Sequence, residues 1–153
     1  MSPDLRHELR QQKPFGSLAQ EAFLSVARTE AQLRESIERL LEPHGLTLTQ
    51  YNVLRVLRGA ESEGLCRNEI RDRLVTRMPD VSRLLDRMET AGLIHRVRST
   101  TDRRQVNTTL TTKGRKLVNE LDGPMAKAHE KQLGHLDAKQ LKSLIDLPAL
   151  ARG

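Results

Sequence analysis

The chain contains no tryptophan, one tyrosine (Tyr51), two phenylalanines (Phe15, Phe23) and one cysteine (Cys66) among its 153 residues. So few aromatics leave the core to Leu, Val, Ile, Ala and Met, a palette that favours helices and argues against a β-sandwich. A single cysteine excludes an internal disulfide and any CxxC-type zinc site, so the fold must stand on packing. No run approaches the roughly 18 apolar residues of a membrane span, and Met1 to Gln12 is too charged for a signal peptide. A cytoplasmic protein is expected. The histidines (His7, His44, His95, His129, His135) form no i, i+4 pair, and no Gly-rich phosphate loop, nucleophile elbow or paired catalytic carboxylates stand out. Neither a metal, a cofactor nor an enzymatic activity is expected.

What is present is basic charge, and it is concentrated. Cys66 to Arg115 holds 12 basic residues against 6 acidic ones, which accounts for the whole net charge of +6, while the remainder is neutral. Clustered cations release counterions from phosphates, so the asymmetry points to double-stranded DNA as partner, with an anionic membrane as the rival. Between Pro14 and Thr112 every Lys or Arg position is Arg. Its planar fork binds phosphates and guanine edges bidentately, as Lys cannot. A GC-rich genome would explain the preference for Arg but not its clustering.

The 37% apolar content suffices for one compact domain. Residues 1–16 read as a tail or short extra helix. Ser17 and Gln20 have capping-box spacing, and apolar residues then recur at helical intervals to Leu41. Such a helix is roughly 37 Å long, more than so small a domain can cover, so part of its stripe should face another subunit. A second stripe through Leu117, Leu121, Leu141 and Leu144 points the same way. Residues 17–47 and 112–153 are accordingly expected to form a homodimer. Thr47 and Gln50 cap a helix from Leu48 to Gly59 that buries Tyr51, Val53, Leu54 and Leu57, with Leu46 and Tyr51 as a hydrophobic staple. A short helix spans Arg67 to Leu74, and another runs from Pro79, at the N1 position, to Ala91. The period then becomes alternating: Ile94 to Arg98 and Gln105 to Leu110 form a hairpin around a basic turn. Thr111 or Thr112 opens a further helix, with Gly123-Pro124 expected to kink it, and Asp137 and Gln140 open a short last one.

Helix, turn, helix and hairpin in that order make a winged helix-turn-helix over residues 48–111, a mainly α fold with a small β wing and terminal dimerisation helices. On the helical wheel Val81, Leu84, Leu85 and Met88 share one side, which turns Ser82, Arg83, Asp86 and Arg87 outward. Ser82 and Arg83 occupy the first turn, where a recognition helix touches bases. The run Met78-Pro79-Asp80-Val81-Ser82-Arg83-Leu84-Leu85-Asp86-Arg87-Met88-Glu89, with Ala91-Gly92-Leu93-Ile94 after it, resembles the recognition helix of the MarR family of bacterial transcriptional regulators. Asp102-Arg103-Arg104 followed by Leu110-Thr111 and Gly114 is similar to that family's wing signature. The resemblance implies a DNA-binding regulator, a homodimeric repressor on an inverted repeat, with Asp102 orienting an arginine across the wing. By that pattern Arg104 matches the family arginine and Arg103 the variable position, which leaves open which enters the minor groove. The candidate DNA-binding residues are Arg77, Pro79, Asp80, Ser82, Arg83, Arg87, Arg98, Asp102, Arg103 and Arg104.

The resemblance also implies a small anionic or phenolic effector in the crevice between dimer helices and winged module, for which His44, Tyr51 and Arg55 are the candidates. Packing alone also accounts for Tyr51. Cys66 falls at an N-cap position beside Arg67, where a thiol is either tolerated packing or a reactive redox sensor. A winged-helix module serving protein interaction is the remaining alternative function.

Overall fold

A computed structural model describes residues 4–60 and 62–153. A four-residue helix α1 (Leu5–Glu8) precedes α2 (Leu18–Leu41), which Ser17 caps by accepting the Gln20 N–H at 3.1 Å. Pro43 opens a 3-10 turn over Glu42–His44, and Gly45, at φ 68°, ends it in the left-handed region that glycine enters without strain. Helix α3 (Leu48–Arg58) begins with the expected reciprocal box: Thr47 Oγ1 accepts the Gln50 N–H at 3.2 Å, and Gln50 Oε1 accepts the Thr47 N–H at 3.0 Å. Its inward face is Tyr51, Val53, Leu54 and Leu57, all buried, with Leu46 buried beneath Tyr51's end of the helix.

Two elements differ from the sequence reading. A strand β1 (Leu65–Cys66) precedes α4 (Arg67–Arg73) and makes the wing three-stranded, in the order β1-β3-β2. It is too short to show any alternation. Helix α5 (Ser82–Thr90) starts three residues later than Pro79, because the Asp80 carboxylate accepts the Ser82 N–H at 2.8 Å and so ends the preceding turn. Strands β2 (Ile94–Arg98) and β3 (Val106–Leu110) pair antiparallel, Ile94 opposite Leu110 and Arg98 opposite Val106.

Helix α6 (Thr112–Leu133) runs unbroken through Gly123-Pro124. Pro124 is exposed, so the carbonyl deprived of its N–H lies on the wet side of the helix. Helix α7 (Ala138–Arg152), capped by Asp137 and Gln140, has 15 residues and is not short. One core joins the helices, with Ile37 and Leu41 from α2, Leu54 from α3, Ile70 from α4, Leu85 and Met88 from α5, and Val118 and Leu121 from α6. Leu121 is therefore committed to this chain's own interior and not to a partner stripe. Of the apolar residues left outside the core, Leu18 (83% exposed), Phe23 (70%), Ile145 (65%) and Leu150 (77%) lie on α2 and α7, while Val75 (86%) lies in the turn between α4 and α5.

Arg58 on α3 grips Asp122 on α6 through two N–H···O bonds of 2.8 and 2.9 Å and reaches Asn119 at 2.9 Å. The guanidinium holds the Asp122 carboxyl below the ordinary carboxylate range. Because the folded value is depressed, this pair stabilises the fold above the unfolded-chain value, about 3.9, and stops doing so as pH falls through the folded value. Thermal melts of Asp122→Asn and wild type should therefore converge as the pH drops below about 4. A constant difference between the two down to acid pH would show that the pair contributes no pH-dependent stability.

Candidate nucleic-acid interface

Helix α5 is amphipathic in a way that fixes its outer face. Val81, Leu85 and Met88 are buried, Leu84 is half-buried, and Arg83, Asp86 and Arg87 are exposed. Ser82 is the first helical residue, so the unpaired N–H groups and positive dipole end of α5 lie beside it and Arg83. Arg77, Pro79 and Asp80 sit exposed in the segment leading into that turn. The Ser82 N–H and hydroxyl hold the Asp80 carboxyl below its ordinary range, helped by the nearby Arg67 and Arg83 guanidinia.

The wing supplies the second half of the surface. Ser99 N–H donates to the Gln105 carbonyl at 2.8 Å, and Gln105 N–H to that of Asp102 at 3.0 Å, which closes a tight tip. The Asp102 carboxylate accepts the Arg104 backbone N–H at 2.9 Å. Among the described residues Asp102 makes no ion pair, so it shapes the backbone under Arg104 and leaves the guanidinium unpaired. Arg98, Arg103 and Arg104 are exposed. The front of α5 and the wing meet in a cleft of about 550 Å³ whose walls include Ser82, Asp102 and Arg104, together with Arg67, Asn68 and Arg96.

The arginines divide by partner. Among the described residues Arg77, Arg83, Arg87, Arg98, Arg103 and Arg104 have no ion-pair or side-chain hydrogen-bond partner, whereas Arg71 pairs with Asp72. Arg96 reaches Asp86 at 2.5 Å and lies 4.0 Å from Glu89, which also accepts the Arg96 backbone N–H. A guanidinium held by two carboxylates braces β2 against α5. An unpaired, exposed one is free for phosphate or a base edge, since binding breaks no existing pair. Every arginine chosen from the sequence as a DNA contact belongs to the unpaired group. Arg67 and Arg96 were not singled out. Both lie in the basic segment, but nothing in a linear sequence shows that Arg67 meets Ser82 or that Arg96 meets α5.

Cys66 is half-buried, ends β1 opposite Asn107, and precedes α4 as its N-cap. Its N–H donates to Glu69 Oε2 at 2.8 Å, which draws the Glu69 carboxyl below its ordinary range. Glu69, three residues into the helix, thus satisfies the N–H of the residue that caps α4.

A separate, mainly apolar cavity of about 570 Å³ lies between α2, α3, α6 and α7, lined by Leu33, Ile37, Tyr51, Arg55, Met125 and His129 among others. Tyr51 and Arg55 are brought to it as expected. His44 is not: it lies exposed in the 3-10 turn, and His129 of α6 takes the imidazole position on the wall. Burial pushes the Tyr51 hydroxyl's pKa up, so the ring presents a protonated phenol.

Comparison with known proteins agrees with this architecture. A model of the MarR family matches residues 44–105. The transcriptional regulator TtmR of Methylorubrum extorquens is 45% identical over 83 residues, 54% of this chain and 42% of that protein, so the match spans under half of TtmR. The transcriptional repressor Rv2887 of Mycobacterium tuberculosis is 31% identical over 113 residues, 74% of this chain and 80% of that protein. A MarR transcription factor from Planctomyces limnophilus superposes with a TM-score of 0.67 at 42% identity, covering 90% of this chain and 99% of that one. The repressor CouR, solved on a 23-mer DNA duplex, superposes at 0.79 with 27% identity, covering 94% of this chain and 100% of that one. A helix-turn-helix braced to a three-stranded wing, an array of unpaired arginines on both, and relatives of this length and order lead to one conclusion: the chain belongs to the MarR family of DNA-binding transcriptional regulators, which are not enzymes.

Proposed function

We propose that the protein is a cytoplasmic homodimeric repressor that grips an inverted repeat and releases it when a small aromatic or phenolic anion enters the cavity beside Tyr51. The observation that carries the DNA half is the division of the arginines. The six arginines read as DNA contacts are unpartnered and lie on the helix-turn-helix and the wing, while Arg71 and Arg96 beside them are held by carboxylates of the protein. Ser82 and Arg83 read base edges in this arrangement, Arg77 and Arg87 hold phosphates, and an arginine of the wing tip enters the minor groove. The dimer half rests on the exposed apolar residues of α2 and α7, which a monomer would leave in water. No helix among the described residues is long and apolar enough to cross a membrane.

The effector half rests on the cavity's chemistry. Apolar walls suit a planar ring, while Arg55 and His129 offer the charge and hydrogen bonds that orient an anion. CouR has also been solved with p-coumaroyl-CoA, and BpsR is regulated by 6-hydroxynicotinic acid. A ligand there would act by wedging α2 and α6 against α3, the helix that carries the DNA-reading module.

Two measurements test the proposal. Light scattering at micromolar concentration should give twice the chain mass, and a monomer mass would remove the dimer and the inverted repeat together. A panel of phenolic and carboxylate compounds should include one that raises the melting temperature and weakens DNA binding in the same concentration range. If none does either, the cavity is structural.

A further inference from the structure

Arg67, the first residue of α4, donates its Nη1–H to Ser82 Oγ at 3.1 Å, across the fifteen residues that separate the two helices of the motif. We infer that Arg67 is a specificity-setting residue: by bonding the Ser82 hydroxyl it fixes the rotamer in which that hydroxyl meets one base edge in the major groove. The inference rests on the reading that Ser82 faces bases.

An unrestrained serine at a helix start samples several rotamers and offers one proton and two lone pairs, so it pairs with donors and acceptors alike. Ser82 has lost that freedom on both sides. Its backbone N–H donates to Asp80 Oδ1 at 2.8 Å, and its hydroxyl helps to hold the Asp80 carboxyl below its ordinary range. One lone pair of the hydroxyl is taken by Arg67, which holds it in one rotamer. In the major groove adenine N6 and cytosine N4 are donors, whereas guanine O6 and thymine O4 are acceptors. A hydroxyl held in one rotamer meets one of these edges in a fixed geometry and so discriminates among them, whereas a released one turns to suit any of them.

This role has a signature distinct from that of a phosphate contact. Arg67 acts through Ser82 and need not touch DNA. Its loss should change which base is preferred without changing how steeply binding depends on salt. A phosphate-binding arginine does the reverse.

The experiment starts by selecting an operator from random duplexes with the full-length protein. Affinities are then measured at several salt concentrations on operators carrying each base pair at each half-site position. Wild type should prefer one base at one position by roughly fivefold or more. Ser82→Ala and Arg67→Ala should each flatten that same position to within about twofold, and the double variant should be no flatter than either, as expected for two residues acting as one unit. The salt slope of Arg67→Ala should match wild type. Arg67 is exposed, and matching thermal melts confirm that the variant is folded. If Ser82→Ala flattens the position while Arg67→Ala weakens all sequences equally and lowers the slope by about one, Arg67 is a phosphate contact and the inference fails alone. If Ser82→Ala leaves every preference intact, the base-reading role of Ser82 falls first and takes the inference with it.

Discussion

Gly114→Ala should destabilise the protein by about 2 kcal/mol and weaken DNA binding in the molecules that remain folded. A Cβ at Gly114 would stand 2.1 Å from the Leu93 carbonyl oxygen and 3.0 Å from its carbon, and both are backbone atoms without a rotamer to change. Helix propensity alone favours alanine by roughly 1 kcal/mol, but it cannot compensate for an overlap that only separation of α6 from the root of β2 relieves. The contact is tight because Thr111 ties the same spot. Its N–H donates to the Leu93 carbonyl at 3.1 Å, and its hydroxyl donates to the Gly92 carbonyl at 2.6 Å and accepts the Gly114 N–H at 3.0 Å. Moving α6 therefore re-aims β2 and with it the wing. Gly123 in the same helix is the control, since a Cβ there meets nothing within 4 Å. Gly123→Ala should melt at or above the wild-type temperature and bind DNA normally. Indistinguishable melts for wild type and Gly114→Ala would show that the backbone contact gives way at no cost.

That contact supplies a physical reason for a pattern legible in the sequence. The Leu110-Thr111 pair and Gly114 stand out as a motif, and their spacing is that of a helix cap whose first turn presses on a neighbouring strand root. The helices are legible for a similar reason: Ser17 with Gln20, Thr47 with Gln50 and Asp137 with Gln140 are local bonds between near neighbours in the chain, and the structure forms each N-cap. The four inward residues of α3 follow from periodicity alone. What periodicity cannot supply is which of two apolar faces meets which neighbour. Leu121 belongs to a stripe that could face a partner, and it is fully buried in its own domain because α6 folds back over α3. His44 and His129 are equally plausible imidazoles until α6 is laid beside α2, where the Gln132 side chain reaches the Leu33 carbonyl at 2.8 Å. The start of α5 differs because proline at N1 is a common signal, while the turn in which the Asp80 side chain accepts the Ser82 N–H, with Val81 at the N-cap, has no apolar period to mark it. The Arg67 to Ser82 bond joins residues that no local rule relates.

Arg83→Ala and Arg104→Ala should each weaken operator binding by about 1–3 kcal/mol, with signatures that differ. Both side chains are exposed and, among the described residues, unpaired, so their removal should leave the melting temperature of the free protein unchanged. The whole loss should appear on DNA. Arg83 projects from the first turn of α5, where its fork meets base edges, so its loss should relax preference at one base pair while other positions keep theirs. Arg104 stands on a wing tip whose backbone Asp102 fixes. In a minor groove it meets a degenerate pattern and a width rather than a sequence, so its loss should weaken all operators, most at A·T-rich flanks, and lower the salt slope by about one. Arg103→Ala measured beside it assigns the groove to one of the two neighbours: the residue whose loss reduces discrimination between A·T and G·C flanks is the one inserted. Arg96→Ala provides the opposite signature. It removes a guanidinium already committed to Asp86 and Glu89, so it should lower the melting temperature first and DNA affinity only through a loosened wing. Sequence-blind losses of equal size from Arg83→Ala and Arg104→Ala would eliminate base reading by α5 and leave an interface that grips phosphates alone.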